Sequence, residues 1–60
     1  MSSVYNPESD TVAEIERLEI EVRNTRRRVE HARTQEDRRV LNRQLEELKQ
    51  QIDRLRSRLP

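Results

Sequence analysis

The sequence predicts an all-α protein, an antiparallel helical hairpin of the coiled-coil type that oligomerises or docks on a larger assembly. Three observations predict it. The composition is 42% charged and 30% hydrophobic and lacks glycine, which is typical of coiled coils. Apolar residues recur at heptad spacing in two stripes. The two stripes are out of register with each other, so the chain has to break its helical path between them.

The two stripes alternate steps of three and four residues, which places their members on one face of a helix. The first stripe is Ile15, Leu18, Val22, Thr25, Val29 and Ala32. The second is richer in leucine and consists of Leu41, Leu45, Leu48, Ile52, Leu55 and Leu59. We expect the Ile, Leu and Val members of both stripes to form a seam that is buried between helices or against a partner.

The break between the stripes is predicted near the middle of the chain. On one straight helix, at about 100° per residue, the second stripe lies more than about 90° from the first. A turn is the simplest break, and Thr34 with Asp37 three residues later forms an approximate capping box for a second helix. The alternative is one continuous helix of roughly 48 residues in a coiled coil. The absence of glycine and proline from residues 31–39, and an Arg33–Asp37 pair one turn apart, favour that alternative.

These signals also predict the bounds of the elements. We expect an extended N-terminal tail over residues 1–10 and a helical hairpin over 11–60, with helices at about 11–32 and 35–59. A proline in the tail disfavours a helical conformation of the residue before it. The capping box of Thr11 with the glutamate three residues later marks the start of the first helix.

The distribution of charge favours the antiparallel orientation. Residues 11–22 carry four acidic residues and one arginine, net −3, and residues 48–59 carry four basic residues and one aspartate, net +3. A hairpin places these two segments side by side, so that opposite charges flank the seam. The expected cross-helix pairs are Glu14 with Arg58 and Glu19 with Lys49.

The sequence contains no arrangement of residues for catalysis or for a cofactor. Without glycine there is no phosphate-cradling loop, and without cysteine a single histidine does not make a zinc site. We expect no enzyme activity, no cofactor, no metal and no small-molecule substrate. The longest apolar run is two residues, which argues against a membrane span or a secretory signal. We therefore expect a cytoplasmic location or a place within a virion or other assembly.

Arginine is concentrated around the predicted turn. Residues 23–43 contain eight arginines against three acidic residues, net +5, whereas the fifteen residues before them are net −5. Such a basic end can contact phosphate or another anion. The alternative is neutralisation by pairs within a helix, such as Arg26 with Glu30. The candidate anion contacts are Arg26, Arg27, Arg28, Arg33, Arg38 and Arg39.

Apolar residues outside the seam predict a second interface. Ile20 lies almost opposite the first stripe, where a two-helix seam does not bury it. Val4 and Tyr5 lie in the predicted tail, and aromatic side chains are common anchors in a partner's pocket. We expect Val4, Tyr5 and Ile20 to act as a hook on a partner. The alternative is that the tail folds back onto its own helices.

Together these features predict a non-enzymatic helical protein–protein interaction module. We expect a small structural, adaptor or assembly subunit of a multi-protein particle, such as a phage or viral structure. The reason is that 60 residues without a disulfide bury little surface on their own. The expected partner is protein, through self-association, a larger assembly or both. The alternative is a small dimeric nucleic-acid-associated protein that binds phosphate through its arginine-rich helix–turn region. The total charge of +1 and the absence of aromatic residues there argue against it.

Overall fold

The computed structural model describes residues 6–60 as two α-helices packed against each other. Helix α1 spans Pro7–His31 and helix α2 spans Gln35–Arg56. A three-residue connection turns the chain back on itself, so the helices are antiparallel and the molecule is elongated, 54 × 22 × 11 Å. The predicted hairpin is confirmed, and the alternative of one continuous helix is wrong.

Helix α1 begins at Pro7, four residues before the predicted start at Thr11. The Asn6 side-chain oxygen accepts hydrogen bonds from the backbone N–H groups of Glu8, at 3.0 Å, and Ser9, at 3.4 Å. Proline fits the first helical position because its missing N–H has no partner there in any helix. The Thr11 hydroxyl donates to the Pro7 carbonyl oxygen at 2.9 Å. The predicted tail over residues 1–10 is therefore too long, and Asn6 is the cap.

The connection between the helices is held by Thr34, as the capping pattern predicts. The backbone leaves helical geometry at Ala32, whose N–H donates to the Val29 carbonyl oxygen at 3.2 Å. Thr34 is extended, and its hydroxyl oxygen accepts from the Asp37 N–H at 3.0 Å. No residue among 6–60 has a positive φ. The turn consequently needs no glycine, because ordinary extended geometry at two positions is enough to reverse the chain.

The core of the hairpin is the predicted seam. Four apolar side chains are buried, with 6–8% of each exposed, namely Ile15, Leu18, Val22 and Ile52. Thr25, the one polar member of the first stripe, is buried among them. Four half-buried leucines of the second stripe pack against this cluster, namely Leu45, Leu48, Leu55 and Leu59. Val29, Ala32 and Leu41 are half-buried near the connection. Two stripes that could not share one helical face thus meet across two helices.

Helix α2 ends at Arg56, three residues before the predicted end. The Ser57 hydroxyl donates to the Arg54 carbonyl oxygen at 2.6 Å, and the Leu59 N–H donates to the Arg56 carbonyl oxygen at 3.1 Å. This tighter final turn satisfies carbonyl groups that the end of a helix leaves open. It also returns Leu59 to the half-buried edge of the seam.

Candidate functional site

The two helices cover the seam unequally. Helix α1 has four buried residues along its stripe, whereas Ile52 is the one buried residue of α2. The other members of the second stripe, all leucines, are only half-buried. One helix therefore does not cover the leucine ridge of α2, and part of that apolar surface stays available to a further partner.

We use the name leucine face for the broad side of the hairpin onto which this ridge opens. Leu41, Leu48 and Leu55 lie seven residues apart on α2, so they form a row with a spacing of about 10.5 Å. Each of the three lines a shallow groove between the helices on this side. The groove beside Leu48 is also lined by Thr25 from α1. Its walls combine apolar contact surface with hydroxyl, amide and charged groups.

The centre of the leucine face is bordered by glutamines that are not among the predicted site residues. Gln44 and Gln51 line the same groove as Leu48, together with the charged Glu21, Arg28 and Glu47. These positions flank the seam of a heptad repeat, where side chains contact the neighbouring helix of a bundle. Their positions, four and three residues from Leu48 in the sequence, could have identified Gln44 and Gln51 as residues that flank the seam. Neutral amides there cost less to bury than charges.

The opposite broad side, which we name the charged face, is covered by long ionic side chains over Val22 and Ile52. Its groove is lined by Glu19, Arg23, Arg26, Lys49 and Arg56. An ion pair of 3.8 Å joins Arg56 Nη2 to Glu19 Oε2. Both partners are about half exposed, so this pair adds little stability. Extended charged stems shield the seam from water on this side.

The predicted cross-helix pairs are not the ones that form. Glu19 pairs with Arg56 instead of Lys49, which lies two turns away on the same side of α2. Glu14 pairs within α1, with Arg17 at 3.4 Å, instead of with Arg58. An arginine one turn away on the same helix reaches the carboxylate without crossing a groove. The predicted antiparallel placement of opposite charges is nevertheless correct, because Glu14 and Arg58 line one groove.

The candidate anion contacts surround the end of the hairpin at the connection, which we name the tip. All six predicted arginines are exposed. Arg26 lines the charged face, whereas Arg28 and Arg33 line a groove of the leucine face. Arg27 lies farther around α1 beside His31. The arginines therefore point in several directions and give the tip a positive field without converging on one pocket.

The intrahelical ion pairs that the alternative requires are not formed within residues 6–60. Within residues 6–60 the ion pairs of 4.0 Å or less are those of Glu14 and Glu19 already described. Arg26 does not pair with Glu30, and Arg33 does not pair with Asp37. In water an exposed pair gains only a few tenths of a kcal/mol and loses side-chain entropy. The six arginines therefore have no carboxylate within 4.0 Å among residues 6–60.

The predicted hook is only partly within the described chain. Ile20 lies on the outer side of α1 with 49% of its surface exposed, as its place opposite the seam predicts. Val4 and Tyr5 lie outside the described residues, so the hook itself stays a prediction. Val40 is 54% exposed and lines the groove of the leucine face nearest the tip. It therefore extends the apolar surface next to Leu41.

The described part of the chain offers no cluster of three or more His, Cys, Asp or Glu side chains that could hold a metal ion. Neither helix has a stretch that is long and apolar enough to cross a membrane. The surface features of residues 6–60 are thus the leucine face, the charged face, the tip and isolated exposed apolar side chains. Comparison with protein-family models, curated proteins and solved structures found no match.

Proposed function

We propose that this chain is a non-enzymatic helical interaction module that joins protein surfaces through its leucine face. It acts as a small structural, adaptor or assembly subunit of a multi-protein particle. The observation that carries the proposal is the uneven cover of the seam, with α1 buried along its stripe and the leucines of α2 half exposed. A second helical surface laid on this ridge removes more apolar surface from water, which is the main driving force of association.

The size of the core supports the same proposal. Four buried apolar side chains form the centre of the molecule, and no disulfide or metal reinforces the described residues. Below about 70–80 residues a single core rarely supplies more than about 3–5 kcal/mol of stability. Any contact that binds the folded hairpin and not the unfolded chain adds to that stability by mass action. Folding and association are therefore coupled in this proposal.

Sedimentation equilibrium and circular dichroism across a range of protein concentrations test the proposal. We expect an average mass above the 7.3 kDa of one chain at micromolar concentrations. We also expect a melting temperature that rises with concentration, because association stabilises the folded state. A fully folded 7.3 kDa species with a melting temperature independent of concentration would contradict the proposal.

A second candidate function is binding of nucleic-acid phosphate by the tip. The observation that favours it is the exposure of the tip arginines without a carboxylate partner within 4.0 Å among residues 6–60. Such contacts release counterions, so the affinity falls steeply with salt. Residues 6–60 contain no Phe, Tyr or Trp side chain to stack on a base. Any such binding is consequently independent of nucleotide sequence.

Fluorescence anisotropy of a labelled DNA duplex separates the two candidates. Under the proposed interaction function we expect no binding at micromolar protein concentration in 50 mM salt. Phosphate binding would instead raise the anisotropy in 50 mM salt and lose at least about tenfold in affinity by 200 mM. That result, if replacement of Arg27 and Arg28 by glutamine removed it, would favour the second candidate.

A further inference from the structure

We propose that the occupant of the leucine face is a second copy of the chain turned end for end, giving an antiparallel four-helix bundle. This inference rests on the proposed function and adds the identity and the orientation of the partner. It is carried by two independent features of residues 6–60. These are the symmetry of the leucine row and the uneven distribution of charge along the hairpin.

The leucine row is self-complementary. Leu41 and Leu55 each lie seven residues from Leu48, on opposite sides of it along α2. A two-fold axis through the groove at Leu48 therefore sets Leu48 against its own copy and Leu41 against Leu55 of the second copy. One row thus supplies both halves of the contact, which is what a symmetric dimer interface requires. The half-buried state of all three leucines leaves their outer surfaces available.

Two hairpins that meet through the same broad face have two symmetric arrangements. In the antiparallel one, α2 lies on α2 and α1 on α1. The tip of each copy then lies at the open end of the other, where α1 begins and α2 ends. In the parallel one, α2 lies on α1 and the two tips lie side by side. The longer helix, α1, is about 37 Å long and the hairpin is 22 Å wide, which gives a face of about the 800 Å² per partner of a standard interface. Both arrangements therefore bury enough surface.

The leucine row and the net charge of the two ends favour the antiparallel dimer. Only this arrangement lays α2 on α2, so that leucine meets leucine, whereas in the parallel one the row lies on α1. Residues 23–43, which form the tip half, are net +5, and the rest of the chain has nine acidic and five basic residues, net −4. The antiparallel dimer therefore also keeps the two positive tips apart. Charge between facing helices is complementary in both arrangements, since the parallel one lays residues 11–22, net −3, on residues 48–59, net +3.

The same complementarity exists on the leucine face itself. Its groove at the open end is lined by three acidic side chains and one basic one, Glu8, Asp10, Glu14 and Arg58, and its groove at the tip by Arg28, Arg33 and Asp37. With the two-fold axis at Leu48, Arg28 comes within about one helical turn of Glu14 of the second copy, and Arg33 of its Asp10. The tip arginines, which have no carboxylate within 4.0 Å among residues 6–60 of one chain, find partners in the dimer. The charged face, covered by its own ionic side chains, offers no such row.

Spin-label distances test the orientation. The chain has no cysteine, so Gln35→Cys places one label per chain at the exposed first residue of α2. Residue 35 lies 13 positions from Leu48, so the antiparallel dimer separates the two labels by about 40 Å. The parallel dimer brings them within about 25 Å. A Gln50→Cys control, two residues from Leu48, gives a distance below about 30 Å in both arrangements.

The pair of labels separates failure of this inference from failure of the proposed function. A short distance from the Gln50→Cys control with about 40 Å from Gln35→Cys is the expected result. Short distances from both variants would overturn the antiparallel orientation and leave the interaction function standing. No dipolar signal from either variant at micromolar concentration would overturn the dimer and, with it, self-association through the leucine face.

A charge exchange tests the contact between tip and open end. Arg33→Asp alone and Asp10→Arg alone each create two like-charge contacts, and we expect each to raise the dimer dissociation constant at least about fivefold at low salt. The double variant restores opposite charges and should return to within about twofold of the original value. Arg27→Asp is the matched control, since it changes the same charge on the outer side of α1. Lack of rescue in the double variant would overturn the contact.

Discussion

Replacement of Leu48 by aspartate should abolish self-association and remove most of the helical circular-dichroism signal at micromolar concentration. Leu48 lies half-buried between the helices and at the centre of the leucine face. The change removes an apolar side chain worth about 1.5–3 kcal/mol when fully buried. It also introduces a negative charge into a groove in which Arg28 is the one basic lining residue. A buried charge without a partner costs several kcal/mol. We expect the dimer dissociation constant to rise at least about 100-fold, which corresponds to about 2.7 kcal/mol.

The control for this prediction is Gln50→Asp. Gln50 lies two residues away on the exposed side of α2, so the substitution introduces the same charge into the same helix with a similar effect on helix propensity. Its mass and helicity should match those of the original chain. Sedimentation equilibrium and circular dichroism measure both variants. If Leu48→Asp kept the mass of an assembly, the leucine face could not be the contact surface.

The sequence was sufficient to predict the hairpin because heptad spacing and register are local properties of the chain. Continuing the first stripe past Ala32 meets charged residues, so no single helix can bury both stripes. Thr34 could be named as the second cap for a similar reason, since a capping hydroxyl and the N–H it accepts from are three residues apart. Predictions of this kind depend on spacing and require no knowledge of what lies across the groove.

The start of α1 and the ion pairs were not predicted, for two different reasons. Pro7 disfavours a helical Asn6, which places both residues in the predicted tail, but the same pair makes a strong helix start when the asparagine side chain caps the first turn. The partner of Glu19 depends on which of two basic side chains on one side of α2 reaches it. That choice is a difference of a few tenths of a kcal/mol among long, exposed side chains. Spacing alone does not decide it.

The unequal cover of the seam was also beyond the sequence. Both stripes have the heptad pattern, and nothing in their spacing distinguishes the stripe that is buried from the one that is half exposed. The difference does not follow side-chain size, since Ile15 and Leu18 of α1 are buried whereas the shorter Val29 and Ala32 of the same stripe are half-buried. It depends on how the two helices are set against each other, which is a property of the packed pair and not of the spacing along either helix.

The tip arginines connect the two candidate functions. If the acidic end of a second copy occupies the tip, phosphate and the second copy compete for Arg28 and Arg33. High salt weakens both contacts, because both are ionic, so salt dependence alone does not separate them. The burial of leucine does separate them, since only the dimer removes the leucine face from water. Variants of Leu48 are therefore informative about the arginines as well, because loss of the dimer leaves the tip exposed.

Replacement of Ile52 by alanine should lower the free energy of unfolding by about 2–4 kcal/mol, the usual range for truncation of a buried isoleucine. Ile52 is 7% exposed and is the one residue of α2 within the buried cluster. Urea unfolding followed by circular dichroism at a fixed protein concentration measures the loss. Because dimer formation depends on the folded hairpin, the apparent dissociation constant should rise as well.

The matched control is Ile20→Ala, which makes the same truncation on the exposed outer side of α1. Ile20 is 49% exposed, so its replacement should change the free energy of unfolding by no more than about 0.5 kcal/mol. The antiparallel dimer leaves Ile20 outside the leucine face, so its dissociation constant should stay unchanged. An equal loss from the two variants would contradict the seam described here. A loss of association from Ile20→Ala without a loss of stability would instead place the contact on the outer side of α1, where the predicted hook requires it.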